Sequence, residues 1–359
     1  MKRVSGAYAL CFRDAPLHLS WSMNLERRLR RFLLSSVSDP DTSRASLRKQ
    51  LTAVECWPTG SRLELNLLLY RLAKQFYPDR YLTFLKLRMP WFVRITGEDP
   101  YPRLETANRV PPHFKTRFDA LWGPFVSRAA AQQYEQELLG LFQIRRCSEI
   151  LVPDPDHPGC IYGEMSQCLR PCQAAVTATE YGSEALRVRD FLESNGRSAI
   201  AALSSARNRA CEETEFEQAA QMHKRLERMK ATAALRERIV TEVHEFNGVA
   251  LTRALQEGRF VLWPMLEGNW QEPVTLDFLT NELQTKSLDT EIRELLAAKL
   301  QTGAITGGNR AEELAIFSRW YYSSWRDGEW FPFRSLADLN YRKLVRELSR
   351  MAQPAPVPA

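Results

Sequence analysis

The chain has 359 residues, 44% hydrophobic and 26% charged, the make-up of a folded protein of two or three domains. It lacks the run of about 18 apolar residues that a membrane helix needs, and Arg13 and Asp14 break the apolar stretch after its basic start, so neither a membrane span nor a signal peptide is expected and the location expected is cytoplasmic. The net charge of +6 is uneven: the first hundred residues hold 17 basic and 9 acidic side chains, the rest 32 and 34. A local balance of +8 fits a phosphate-backbone binder, and equally a solvated basic face.

In chain order, residues 5–12 and 16–20 are short apolar runs that predict a β-hairpin. Asn24 is placed to cap a helix in which Leu25, Leu29 and Phe32 recur at helical spacing, with Arg27, Arg28, Arg30 and Arg31 over most of the remaining surface. Residues 35–45 read as a loop and Val54–Pro58 as a third strand. Thr59-Gly60-Ser61 introduces a helix over about 62–76, which Pro78 ends. Strand-like text runs from 82 to 110, with a turn over Gly97–Pro102, and a helix follows at 129–142. Residues 177–240 are helical; Ala219, Met222, Leu226, Met229 and Ala233 form a seam that either closes within a helical hairpin or meets a partner. Strands are expected at 248–255 and 259–266, then a helix at 289–301, an aromatic-rich stretch read as core, and a last helix. Asp277 and Glu282, just after the strand-like runs, make no convincing Asp/Asp/His triad, and the tail QPAPVPA is expected to be disordered.

Of seven cysteines, Cys147, Cys160, Cys168 and Cys172 fall within 26 residues, in the pattern C-x12-C-x7-C-x3-C. Without an export signal, such clustering favours metal over disulfides. Thiolates suit zinc or iron–sulfur centres, and spacing alone leaves both open. Cys11, Cys56 and Cys211 read as small core residues.

Over roughly positions 5–236 these landmarks resemble, in order, the N-terminal half of the UvrC/Cho family of excision-repair nucleases. Gly6-Ala7-Tyr8 stands where the family has G-[VI]-Y, and Asn24-Leu25 with Arg27-Arg28-Leu29-Arg30 is similar to its N-L-x-x-R-x-R helix. Trp91–Thr96, Pro102-Arg103-Leu104, Trp122-Gly123-Pro124-Phe125 and Arg146-Cys147-Ser148 resemble its Y-P-Y-I-[KR]-I-T, P-R-L, F-G-P-Y and first-cysteine motifs. Glu215-Phe216-Glu217 with Ala219-Ala220 looks like the UVR motif. Beyond about 240 the likeness ends, with no visible counterpart of the family's second nuclease domain or its DNA clamp.

The resemblance implies an α+β architecture: a small GIY-YIG-like mixed-sheet domain (1–95), a linker and cysteine-rich iron–sulfur region (96–176), a helical UVR-like region (177–240) and a small α/β C-terminal domain (241–352) before the tail (353–359). It implies a [4Fe–4S] cluster on the four cysteines, DNA as a partner bound through Arg27, Arg28, Arg30 and Arg31, and UvrB docking through Phe216, Ala219, Ala220 and Met222. It also implies a nuclease site of which only Tyr8 and Arg28 survive. His18 replaces the second tyrosine, Ser20 its glycine and Trp21 the following lysine. Leu69 stands where the metal-binding glutamate belongs, and leucine cannot ligate a hard cation. Glu64 lies five residues earlier, about 140° around the helix. The site is therefore expected to be weak or dead, needing Mg²⁺ or Mn²⁺ only if active; the alternative is an endonuclease rewired around His18 and Tyr8 that cuts 3′ of a lesion.

Overall fold

The computed structural model describes residues 4–13, 17–34, 50–97, 100–111, 114, 119–278, 287–302 and 309–353. The expected loop at 35–45, Glu282 and residues 354–359 of the tail lie outside these, as does part of the expected turn at 97–102. The α+β class holds: helices accompany three small sheets whose strand pairs are all antiparallel. The chain divides into two compact units, one made of Met1–Arg88 with Asn247–Ala359, the other of Met89–Phe246.

The first unit opens with β1 (Ser5–Phe12), β2 (His18–Ser22) and β3 (Leu51–Thr59), in the order β2-β1-β3. Gly6 must be glycine there, because a Cβ would sit 2.3 Å from the Trp57 carbonyl oxygen. Strand alternation sends successive β1 side chains to opposite faces. Ala7 and Ala9 join Leu19, Leu65, Leu69 and Leu72 in one apolar cluster, while Tyr8 and Leu10 join Leu25, Leu29 and Phe32 in another. Helix α1 (Leu25–Leu34) starts where the Asn24 side chain accepts from the Arg27 amide, and its apolar stripe supplies the second cluster. Helix α2 (Arg62–Phe76) supplies the first. It starts with a reciprocal cap: Ser61 accepts from the Glu64 amide, and Glu64 accepts from Gly60 N–H at 2.7 Å.

Residues 82–85, at the start of the stretch read as strand, belong instead to a short helix, α3 (Tyr81–Leu85), closed by Lys86 in the left-handed region. Tertiary contact overrides propensity here: the Tyr77 and Phe84 rings meet tilted, their centres 4.9 Å apart, and Tyr81 and Leu85 pack on the α2 cluster.

The remainder of this unit is a sheet of β8 (Gly248–Arg253), β9 (Arg259–Leu266), β10 (Asn269–Trp270), β11 (Val274–Asp277) and β12 (Gly328–Pro332), carrying helices α9 (Leu288–Thr302), α10 (Arg310–Tyr321) and α11 (Tyr341–Ala352). The Asp277 carboxylate is taken up by Arg259 at 2.9 Å. Phe317, Trp320, Trp330, Phe331 and Phe333 are buried, so most of the aromatic-rich stretch is core, as expected; Trp325 is 36% exposed. The two sequence-distant parts of the unit touch at Gly60, where a Cβ would lie 2.1 Å from the Ala254 carbonyl carbon. They also share a buried polar network. Glu312 of α10 accepts from the hydroxyls of Tyr70 at 2.5 Å and Tyr81 at 2.8 Å, with Lys74 at 3.7 Å.

The second unit has a sheet in the order β5-β4-β6-β7, from β4 (Trp91–Ile95), β5 (Leu104–Ala107), β6 (Ala120–Phe125) and β7 (Thr241–Glu242). Helix α4 (Arg128–Leu141), capped by Ser127, covers it through Ala131, Tyr134 and Leu138. After the short α5 (Ile161–Glu164) come three helices: α6 (Ala178–Ser194), α7 (Arg197–Glu212) and α8 (Phe216–Leu235). A capping box of Thr177 and Glu180 fixes the start of α6, and left-handed Asn195 and Gly196 turn the chain into α7.

Candidate functional site

The hairpin and α1 bring part of the expected nuclease site together. Tyr8 is buried on β1, and its hydroxyl accepts from Arg28 Nε at 3.1 Å. Register pairs Tyr8 with Ser20 and Leu10 with His18, so exposed His18 lies diagonally across from Tyr8 on the same face of the sheet.

The fourth position is different. Leu69 is 7% exposed and packs in the cluster of Ala7, Ala9 and Leu19, on the side of β1 away from Tyr8. Nor can Glu64 stand in: its carboxylate is engaged with Gly60 at the start of α2. Burial raises its pKa, against the pull of the Gly60 and Ser61 amides. Of the basic helix, Arg27 and Arg31 are exposed, whereas Arg30 pairs with Glu26 at 2.8 Å and Arg28 is engaged with Tyr8.

A feature not expected from the sequence borders this region. A cavity of about 370 Å³ is lined by His18, Ser20 and Trp21 of β2, Arg62, Asn66, Leu69 and Tyr70 of α2, Phe84 of α3, and Ile316, Arg319 and Trp325 from α10 and the loop after it. Only the spacing of Arg62, Asn66 and Leu69 along one helix could have hinted at a shared face.

In the second unit, the cysteine segment is tied down by backbone hydrogen bonds, and its Leu151 and Leu169 pack against the apolar core. Asp154 N–H donates to Cys172 O, Gly163 N–H to Cys160 O and Leu169 N–H to Gln143 O. Ser166, Arg170 and Ala174 hold left-handed backbone in turns between and beside the cysteines. Cys168 is buried, and burial pushes its thiol pKa up; Cys147, Cys160 and Cys172 raise it further, so the four sulfurs share one electrostatic environment. Burial, then Cys160 and Cys147, do the same to Cys172. Arg145, 3% exposed, sets its guanidinium 3.8 Å from Cys147 Sγ while donating to the carbonyls of Tyr101 and Glu149. Bringing thiols together in this way opposes their ionisation unless a cation balances them. Among the described residues, no three His, Cys, Asp or Glu side chains are grouped tightly enough to hold a single metal ion.

The UVR-like residues divide. Ala219, Leu226 and Met229 are buried within this unit, where α8 meets α7 and α4, so the seam is largely closed inside the chain. Phe216 is 68% exposed, Ala220 is exposed and Met222 is half-buried.

Residues 90–191 match the UvrC/Cho excinuclease middle domain, the stretch that runs from β4 through the cysteine segment into α6. The chain is UvrC-like. The UvrABC system protein C of Chlamydia trachomatis serovar D is 29% identical over 221 residues, 61% of this chain and 36% of that protein. That of Desulforudis audaxviator is 28% identical over 258 residues, 71% of this chain and 40% of that protein. That of Alcanivorax borkumensis is 26% identical over 215 residues, 60% and 34%. The UvrC-like chain thus matches little more than a third of the length of these relatives. No solved structure matches it. No helix among the described residues is long and apolar enough to cross a membrane.

Proposed function

We propose that this UvrC-like chain acts in nucleotide-excision repair as a DNA-binding protein whose GIY-YIG nuclease site has lost its metal-dependent chemistry. One observation carries the reading. The position expected to hold the metal carboxylate is Leu69, packed among alanines and leucines, and the nearest N-terminal carboxylate, Glu64, is consumed in a helix cap. A hard cation needs oxygen ligands, and losing it removes several kcal/mol of transition-state stabilisation. Exposed Arg27 and Arg31 supply positive charge for duplex phosphates. Cys147, Cys160, Cys168 and Cys172 are the residues that would hold a [4Fe–4S] cluster, which ties the segment between β6 and α6 in place. Exposed Phe216 and Ala220 offer UvrB a contact at the start of α8.

The surviving Tyr8–Arg28 contact favours a second reading, an endonuclease that incises 3′ of the lesion with His18 in an altered role. Nicking of a lesion-bearing duplex with UvrB, in Mg²⁺ and then Mn²⁺, separates the two. Binding without cleavage is the expected result. Cleavage abolished by both His18→Ala and Arg28→Ala would establish a rewired nuclease instead.

A further inference from the structure

The cavity beside β2 has a composition that folding alone does not account for. Three of its walls are large aromatic side chains left partly in water: Trp21 is 46% exposed, Phe84 38% and Trp325 36%. Phe317, Trp320, Trp330, Phe331 and Phe333 around it are buried and Tyr321 and Tyr322 half-buried, so Trp325 is the most exposed ring of its segment. The cavity also holds two cations. The Arg62 guanidinium lies 5.5 Å from the Trp21 ring centre and 5.3 Å from that of Trp325, held between the two rings. It has no carboxylate partner among the described residues; Asp327 is spent on its backbone N–H and on the Trp320 indole. Exposed Arg319 is anchored through one nitrogen to the Leu85 carbonyl at 2.9 Å, and the rest of its fork has no partner among the described residues. Among the described residues, no acidic side chain lines the cavity. Finally, the Asn66 side-chain nitrogen, on the same wall, is shielded from solvent and donates to nothing.

We infer that this cavity is a binding pocket for a single unstacked nucleotide, its base stacked on the tryptophan and guanidinium planes and its phosphate on Arg319 and Arg62. Aromatic rings interleaved with arginine are how proteins hold unstacked bases, since every base has a π-face and every nucleotide a phosphate. An amide donor without a partner suits a base carbonyl. At about 370 Å³ the cavity falls within the range of about 300–1,000 Å³ of small-molecule sites, large enough for one nucleotide and too small for a duplex. Two walls come from the hairpin and α2, and the third from the C-terminal segment, so the pocket exists only because the two parts of the unit fold together. The inference rests on the DNA-binding reading above. It goes beyond it by assigning the ground around Leu69 a new use, capture of a base where a metal would have sat.

The test uses the full chain and 2-aminopurine, whose fluorescence is quenched on stacking. One arm is free 2-aminopurine nucleoside monophosphate. The other is a duplex carrying the same base as a single extrahelical nucleotide, with a fully paired duplex as reference. Saturable quenching in either arm, weakened about tenfold by Trp325→Ala and by Arg319→Gln, supports the pocket. Quenching by the bulged duplex alone names DNA as the source, and quenching by the free nucleotide names a cellular nucleotide. Absence of saturable quenching in both arms, or quenching equal in wild type and both variants, overturns it. Anisotropy of a dye-labelled paired duplex is read in parallel. Duplex binding without quenching sinks the pocket alone, whereas loss of both sinks the DNA-binding reading with it. Arg319 is on the surface, so its variant keeps the test informative should Trp325→Ala fail to fold.

Discussion

Arg28 Nε donates to the Tyr8 hydroxyl at 3.1 Å, so the two surviving members of the expected nuclease site hold each other in place. In a working site this arginine would be free to meet a phosphate. Here part of its hydrogen-bonding capacity stabilises the packing of α1 on β1. Tyr8→Phe should therefore lower stability by about 1 kcal/mol, read as a shifted urea midpoint, and leave duplex cleavage where it was. A Tyr8→Phe protein with unchanged stability and lost cleavage would show that the pair is catalytic.

Leu69→Glu places a carboxylate where the family pattern expects one, inside an apolar cluster. It should lower stability by about 2–4 kcal/mol. Denaturant titration with and without Mg²⁺ reads the outcome. A variant as stable as wild type would mean the position is open to water and the packing described is wrong.

Salt dependence of duplex binding distinguishes the four arginines. Arg27 and Arg31 are exposed, whereas Arg30 already has Glu26. Removing Arg27 or Arg31 should lower the slope of log affinity against log salt by about 1 each, and removing Arg30 by less. Equal effects at all three would argue that the ion pair opens on DNA. Binding that survives glutamate at all four positions would rule this helix out.

Burial drives the Glu313 carboxyl up to about 7 from an ordinary 4.5, with the Trp270 amide, which donates to it at 2.6 Å, and Lys74 opposing the shift. The folded protein then holds this proton more tightly than the unfolded chain. Its contribution to stability is fully present below the unfolded carboxyl's range and is lost as pH rises through about 7, up to about 3 kcal/mol across the window. Glu313→Gln keeps an oxygen for the Trp270 amide and cannot ionise. Melting curves from about pH 5 to about pH 8 should therefore fall less steeply for the variant. Parallel curves for the two proteins would clear Glu313 of the effect.

Protein purified without oxygen should be brown and absorb broadly in the blue, and serine at Cys168 or Cys172 should bleach it and lower its melting temperature. A colourless protein with one zinc per chain would replace the cluster with a zinc site.

Much of this was legible in the sequence, and the reasons differ by element. The hairpin, α1 and α2 were readable because alternation, the Asn24 cap and Pro78 act locally. Helix α3 was not, because Tyr81 and Leu85 are helical only through contacts with α2. The seam of α8 was visible as a pattern, but not which partner closes it; buried Ala219 and Met229 meet the chain's own helices. The role of Glu64 was missed although Ser61 and Glu64 have the spacing of a capping box. The cavity was legible only in the shared helix face of Arg62, Asn66 and Leu69, since Trp325 and Arg319 reach α2 from some 250 residues away along the chain.

The tight approach of Gly60 to Ala254 also bears on the order in which the molecule can assemble as it leaves the ribosome. Residues 89–246 form a continuous stretch and can condense as soon as they emerge. The first 88 residues cannot: Tyr70 and Tyr81 wait for Glu312, and the turn at Gly60 waits for the end of β8. Closing that long loop carries an entropic penalty before any contact rewards it. The hairpin with its basic helix is therefore made well before the residues that complete its unit.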